Sequence, residues 1–203
     1  MNHTAASPAS RWFPWFKWTV YGLLAVNIVL FLLHETVTEG LDSLAWVVLL
    51  LLFEWETSQM DKPYLSSWER YGIHGGRIAA YALVLWSAFG YSSAAYIAEY
   101  GAVDMWNAWT WILIVLILEY DVYVPGRYGH WEWRVRNALK TLLYGALFVY
   151  ALLWGLDGSW LDFYDALLWI LCFFAIELNI FAIEAPEADA DAATAAEAPA
   201  GTD

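Results

Sequence analysis

The sequence predicts an all-α membrane protein of six transmembrane helices, built as three tandem two-helix hairpin repeats that can pack as a pseudo-threefold bundle. Three observations predict this fold class. The 203-residue chain is 61% hydrophobic and 15% charged, whereas soluble domains are about 45–50% apolar and about 25% charged. Six apolar segments follow one another along the chain, and every Lys and Arg lies before the first of them, in alternate connections between them, or in the first turns bordering these positions.

The apolar segments are the predicted membrane helices. A helix needs about 20 mostly apolar residues to cross a bilayer. Glu54 interrupts the second segment early, which by itself would also suit a buried helix of a soluble protein. The sixth segment, in contrast, stays largely apolar on both sides of Glu177. The segments lie at 17–34, 42–59, 78–98, 105–123, 138–156 and 161–183.

The positions of the basic residues favour a membrane protein over a soluble one. All nine Lys and Arg precede the first segment, separate the second from the third or the fourth from the fifth, or lie in the first turns bordering these positions. The alternate connections, 35–42, 99–107 and 157–165, carry acids and no base. This positive-inside pattern predicts a multi-pass protein of the cell inner (cytoplasmic) membrane with both termini in the cytoplasm. The bases are Arg11, Lys17, Lys62, Arg70, Arg77, Arg127, Arg134, Arg136 and Lys140.

The predicted organisation has three parts. A cytoplasmic N-terminal segment covers 1–16, and a transmembrane domain covers 17–184, with repeats at 17–59, 77–123 and 138–183. The remainder, 185–203, is predicted to be a disordered acidic cytoplasmic tail, because Ala, Pro and acids without an apolar face cannot form a packed core. The tail is interpreted as a solubilising end or, alternatively, as a binding segment for a protein partner.

One sequence pattern recurs in each repeat. It begins with an acid or amide, followed four residues later by Trp and eight residues after that by Glu. A further polar residue lies two residues beyond the Glu. Upstream, a base precedes a Tyr by four residues. The base lies 25 residues before the Asp in the outer copies and 30 before the Asn in the middle copy, which therefore carries a five-residue insertion. The copies are Lys17, Tyr21, Asp42, Trp46, Glu54, Glu56; Arg77, Tyr81, Asn107, Trp111, Glu119, Asp121; and Lys140, Tyr144, Asp165, Trp169, Glu177, Asn179.

The repeated glutamates Glu54, Glu119 and Glu177 are the candidate functional residues, because a carboxylate in an apolar segment is costly. In an antiparallel hairpin the base that starts one helix lies beside the end of the next. We therefore expect an intra-repeat salt bridge supported by the Tyr hydroxyl. Alternatively, the glutamates converge on a threefold axis, where carboxylates bind a cation or share protons. We favour the clamp, because paired charges cost less than unpaired ones.

Other repeated positions have a simpler interpretation. Asp42, Asn107 and Asp165 stand where helices should begin, so capping is expected in preference to ion binding. The repeated tryptophans are expected to pack between helices rather than to line a pore. The wholly acidic outer connections either concentrate cations or reflect an acid-biased proteome, and we favour the second explanation.

No motif of an enzyme is present, so neither catalysis nor a cofactor is expected. There is no phosphate loop, nucleophile elbow, HExxH or CxxC motif. His34 and Glu35 with Glu39 could bind a metal, but an interfacial histidine is the simpler interpretation and no metal site is expected. The basic loop residues are explained by topology and do not indicate nucleic-acid binding. The lipid bilayer is the expected partner.

The first repeat resembles the voltage-gated ion-channel superfamily over about 40 residues. Asn27–Phe31 followed by His34–Thr36 is similar to the first voltage-sensor helix, and Leu41–Glu54 is similar to the second, whose inner acid faces gating charges. No segment carries a base at every third position and no pore loop is present, so voltage sensing is not implied. The layout of three two-helix repeats also resembles the mitochondrial carriers, whose proline–acid–base signature this chain lacks.

Two functions follow as expectations. The first is a small inner-membrane scaffold or accessory subunit without catalytic activity, held together by intramembrane charge pairs. The alternative is an ion or proton channel or transporter that uses the repeated glutamates.

Overall fold

The computed structural model describes residues 8–58, 67–124 and 131–173, and their regular secondary structure is entirely helical. This confirms the predicted all-α class for the described part of the chain. The helices are α1 (Pro8–His34), α2 (Val37–Ser58), α3 (Ser67–Tyr91), α4 (Ala94–Tyr100), α5 (Val103–Tyr123) and α6 (Trp131–Asp157), followed by α7 over 160–173, where description ends.

Three helices are long and apolar enough to cross a membrane. The spans are Trp15–His34, Val103–Asp121 and Trp131–Asp157, with mean hydropathies of 1.8, 1.2 and 1.6. α3 and α4 together give a fourth candidate that is bent by 69° at their junction. α2 fails the same test because any stretch of bilayer length within it carries at least three acids. These helices support the prediction of an α-helical membrane protein.

The predicted starts of the odd-numbered segments were too late. α1, α3 and α6 begin at Pro8, Ser67 and Trp131, well before the expected 17, 78 and 138. The apolar pattern marks only the part of a helix that can lie in hydrocarbon. The helix itself continues through charged and aromatic residues into the polar region, where its backbone is still satisfied internally.

The five-residue insertion of the middle copy coincides with a structural element of its own, the short helix α4. Ser93 caps this helix, accepting a hydrogen bond from the Tyr96 backbone N–H at 3.2 Å. Gly101 ends it with φ at +93°, a conformation that favours glycine because it has no Cβ. The middle outer connection is therefore an ordered turn of helix between α3 and α5.

The core is shared by most of the helices. α2 packs against both α1 and α3, while α5 packs against both α3 and α6. At the centre, Leu24, Ile114 and Leu147 are at most 1% exposed and belong to one apolar cluster with residues of α2 and α7. A hydrogen bond of 2.5 Å from Asn27 Nδ2 to Asp165 Oδ1 joins α1 to α7.

The bundle has two chemically distinct ends. The basic end carries Lys17, Arg77 and Lys140 with their acidic partners. The acidic end carries the connections between α1 and α2, between α3 and α5, and between α6 and α7.

Candidate functional site

The three repeated tryptophans meet inside the bundle. Their ring centroids are 6.2 Å apart for Trp46 and Trp111, 6.5 Å for Trp46 and Trp169, and 6.4 Å for Trp111 and Trp169. The triangle is nearly equilateral, and the rings are tilted to one another by 53–65°. Edge-to-face and tilted contacts of this kind are favourable for aromatic rings. We call this group the tryptophan triangle.

A polar cavity of about 60 Å³ lies at the acidic end, against the tryptophan triangle. Its walls combine carboxylates with aromatic rings, and we call it the acid–aromatic cavity. It is lined by Phe31, Glu39, Asp42, Ser43, Tyr91, Asp104, Asn107, Trp111, Trp154, Asp162, Asp165, Ala166 and Trp169.

The capping interpretation of the repeated Asp and Asn residues is wrong. Asp42 and Asn107 lie inside α2 and α5, which begin at Val37 and Val103, and Asp165 lies inside α7. Each helix starts four or five residues before its repeated Asp or Asn, and these side chains line the cavity. The Trp46 side chain approaches Asp42 from the next turn of the helix, and Trp169 approaches Asp165 in the same way.

A second set of acids lies one turn earlier in each helix and was not recognised from the sequence as part of the repeat. Glu39, Asp104 and Asp162 each stand three residues before the repeated Asp or Asn, and all three line the cavity. Residues three apart share a helix face. The signal was present, because the spacing is the same in all three copies, but these acids had been assigned to loops.

A tyrosine from α4 joins two of these acids. The Tyr96 hydroxyl lies 2.7 Å from Glu39 Oε1 and 2.8 Å from Asp104 Oδ2. A phenol has one proton and can donate to only one carboxylate at a time. The other short contact requires a further proton or a nearby cation. Trp154 Nε1 donates to the second Asp104 oxygen at 3.2 Å.

Several buried polar atoms around the cavity lack a hydrogen-bond partner. Asp42 Oδ1 and Asn107 Oδ1 are buried acceptors without a donor. Asn27 is 1% exposed, and its Oδ1 is also unpaired although its Nδ2 donates to Asp165. Ser87 is fully buried, and its hydroxyl lies next to the Asp42 carboxyl. Buried polar groups without partners are uncommon and destabilising.

Beyond the cavity, Glu35 occupies the connection between α1 and α2. Burial raises the pKa of its carboxyl, the charge of Glu39 raises it further, and His34 opposes the shift. Within 8–58, 67–124 and 131–173, no group of three or more His, Cys, Asp or Glu side chains is placed to hold a metal ion.

At the basic end, the first hairpin forms the expected clamp. Lys17 Nζ forms a salt bridge with Glu54 Oε1. The Tyr21 hydroxyl donates to the other oxygen of Glu54 at 3.4 Å. Both charged side chains are partly buried, at 21% and 29% exposed.

The other two bases have partners across hairpins. For Arg77 this differs from the predicted partner, Glu119, whereas the predicted partner of Lys140, Glu177, lies outside the described residues. Arg77 pairs with Glu56 of α2, while Tyr81 donates to Glu119 at 2.9 Å. The reason is geometric: the plus-two acid projects about 200° around the helix from the glutamate, and α3 packs against α2 as well as α5.

Asp121 repeats the cross-hairpin arrangement at the next junction. Lys140 Nζ lies 3.0 Å from Asp121 Oδ2, and Arg136 Nη1 lies 2.7 Å from Asp121 Oδ1. Arg136 was not among the residues predicted from the sequence, because it falls outside the repeated pattern. Tyr144 packs against the main core. Glu177 and Asn179 lie outside the described residues.

The repeated glutamates that the structure describes therefore point to partners on neighbouring helices. Glu54 contacts Lys17 and Tyr21, and Glu119 contacts Tyr81. The side chains that the structure brings together around the acid–aromatic cavity are instead its five acids and Asn107. No protein-family model, curated protein or solved structure matches this chain.

Proposed function

We propose that this chain is a small polytopic inner-membrane protein that acts as a scaffold or accessory subunit without catalytic activity. One observation carries the proposal: Lys17, Arg77 and Lys140 each engage an acid in a separate pair at the basic end. Charges that are paired with fixed partners stabilise a bundle, and they are not free to serve as a transport pathway.

The proposed architecture is six spans in three hairpins, α1–α2, α3–α5 and α6–α7, around a pseudo-threefold axis. The nearly equal sides of the tryptophan triangle support this arrangement. So do the two cross-hairpin pairs, Arg77 with Glu56 and Lys140 with Asp121, which join successive units through equivalent positions. The sorting of bases to one end supports cytoplasmic termini, and the acidic tail would then be the segment that meets a protein partner.

Paired substitutions at the first clamp test the structural role. Lys17→Ala leaves Glu54 without its base, and we expect a loss of thermal stability in detergent. The double variant Lys17→Ala with Glu54→Gln removes both charges and should recover most of that loss, because replacing both members of a buried pair is often near neutral. Equal loss in the single and double variants would contradict the clamp.

A second candidate function, cation or proton transport, is favoured by the acid–aromatic cavity. Two members of the tryptophan triangle, Trp111 and Trp169, line this cavity and pack against each other. Flux assays of wild-type protein in liposomes with H⁺, Na⁺ and K⁺ separate the two functions. The scaffold predicts no flux above protein-free liposomes. Flux that Glu54→Gln abolishes at unchanged stability would establish transport and end the scaffold-only proposal.

A further inference from the structure

We propose that the acid–aromatic cavity binds a small ammonium cation, the ammonium ion itself or methylammonium. This site is independent of the clamp residues at the basic end and does not require that the protein transports its ligand.

Unpaired hydrogen-bond acceptors supply the first argument. Asp42 Oδ1 and Asn107 Oδ1 belong to cavity-lining side chains and are buried without a donor. An ammonium group carries only donors, so it supplies what these acceptors lack.

Charge supplies the second argument. Five carboxyl groups line the cavity, and the described residues that line it include no Lys, Arg or His. Tyr96 brings Glu39 and Asp104 within 2.8 Å of a single hydroxyl, and the contact that the phenol proton does not fill requires either a further proton or a nearby cation. A monovalent cation in the cavity meets that requirement.

The aromatic walls select among cations. Phe31, Tyr91, Trp111, Trp154 and Trp169 contribute rings to the lining. Aromatic faces attract ammonium groups through cation–π interactions, and Trp is the strongest partner. A metal ion instead needs several oxygen ligands converging at short distance, and no such group exists among the described residues.

Size limits the ligand. A cavity of about 60 Å³ has the volume of about two waters at ~30 Å³ each. The ammonium ion and methylammonium fit this volume, whereas tetramethylammonium does not. The occupant is therefore a small free cation rather than a quaternary ammonium compound.

Calorimetric titration of the full chain in detergent tests the proposal. Ammonium chloride and methylammonium chloride are expected to bind saturably with one site per chain and to raise the melting temperature. NaCl, KCl and tetramethylammonium chloride at the same ionic strength are expected to do neither. Ethanolamine serves as a probe for a lipid-headgroup amine and should bind more weakly than methylammonium.

Three variants locate the site. Asp42→Asn removes a lining carboxylate and should weaken ammonium binding at least tenfold. Asn107→Asp adds one and should tighten binding several-fold, a gain that misfolding cannot produce. Asp157→Asn is the matched control, because Asp157 is exposed at the same end of the bundle and does not line the cavity; its affinity should equal that of wild type.

Four results would overturn the proposal. They are absence of saturable ammonium binding, equal binding of K⁺ or Na⁺, tighter binding of ethanolamine than of methylammonium, and equal effects of Asp42→Asn and Asp157→Asn.

Discussion

Arg136 shows how a basic side chain is held where the membrane helices end. It is 9% exposed, and its Nη1 donates both to Asp121 Oδ1 at 2.7 Å and to the Val124 backbone oxygen at 2.9 Å. Its guanidinium carbon lies 5.2 Å from the Tyr120 ring centroid. One side chain thus joins the start of α6 to the end of α5 through an ion pair, a backbone acceptor and an aromatic face.

Asp121→Asn is expected to destabilise the protein by about 3 kcal/mol, because Arg136 and Lys140 both lose their shared anion while remaining mostly buried. The measurement is the shift in thermal unfolding in detergent. Glu132→Gln is the matched control: Glu132 also pairs with Arg136, but at 3.6 Å and with 47% of its side chain exposed, so its loss should cost less than about 1 kcal/mol. Similar losses for both variants would contradict this account.

At the residue scale, the sequence was sufficient to identify the residues that recur but not to predict which residues they contact. The recurrence of Trp46, Trp111 and Trp169 predicted a packed aromatic face, and these rings do pack together. The pairing of Arg77 with Glu56 was not predicted, since the sequence does not say which neighbouring helix lies closer. That choice depends on how whole helices pack.

At the scale of the helices, the turn between α6 and α7 positions two acids of the cavity. α6 ends at Asp157. The next residue, Gly158, has φ at +93° and donates its N–H to the Trp154 backbone oxygen at 3.0 Å. Ser159 N–H donates to the same oxygen at 2.9 Å. This tight turn fixes the start of α7 and hence the position of Asp162 and Asp165 in the cavity wall.

Gly158→Ala should therefore lower stability by about 1–2 kcal/mol, because a Cβ is disfavoured at this backbone conformation. Gly145→Ala within α6 should do the opposite. An added Cβ there meets nothing within 4 Å, and alanine is favoured over glycine inside a helix by roughly 0.5–1 kcal/mol. Melting temperatures of the two variants test the pair, and a stabilised Gly158→Ala would refute the assigned turn.

Element types were easier to predict than element ends. Apolar runs gave the long helices, but α3 begins at Ser67 instead of 78 because hydropathy does not detect a helix that continues into the polar region. The five-residue excess of the middle copy predicted an insertion, yet nothing in the pattern specified that it would be helical. α4 owes its form to the Ser93 cap and to Tyr96 reaching Glu39 and Asp104.

For the whole molecule, the distribution of charge predicts its orientation in the membrane. Single cysteines placed in a Cys172→Ser background test it, since Cys172 is buried and the chain has no other cysteine. Cysteines at Glu35 and Glu99 should react with an impermeant reagent from outside. Cysteines at Ser67 and Gly129 should react only after the membrane is opened. Outside labelling at Ser67 would refute six spans with cytoplasmic termini.

The acid–aromatic cavity could be predicted from the sequence only in part. The acids were visible as a feature of the outer connections, but Asp42 and Asn107 had been interpreted as caps. Their positions in the cavity wall depend on helix starts at Val37 and Val103, about a turn before the residues that had been interpreted as caps. A shift of one turn moves a side chain from a helix terminus to an interior wall.

The hydrogen bond between Asn27 and Asp165 spans 138 residues, and this separation has a consequence for biosynthesis. At roughly 5–20 residues per second, Asn27 waits on the order of ten seconds for its acceptor to be made. During that time its amide and the ring of Trp46 lack their partners on α7, Asp165 and Trp169. A nascent chain that stops before Asp165 leaves the Asn27 amide without this acceptor. An unpaired polar side chain inside the helix bundle is then what membrane quality control would have to recognise in a truncated product.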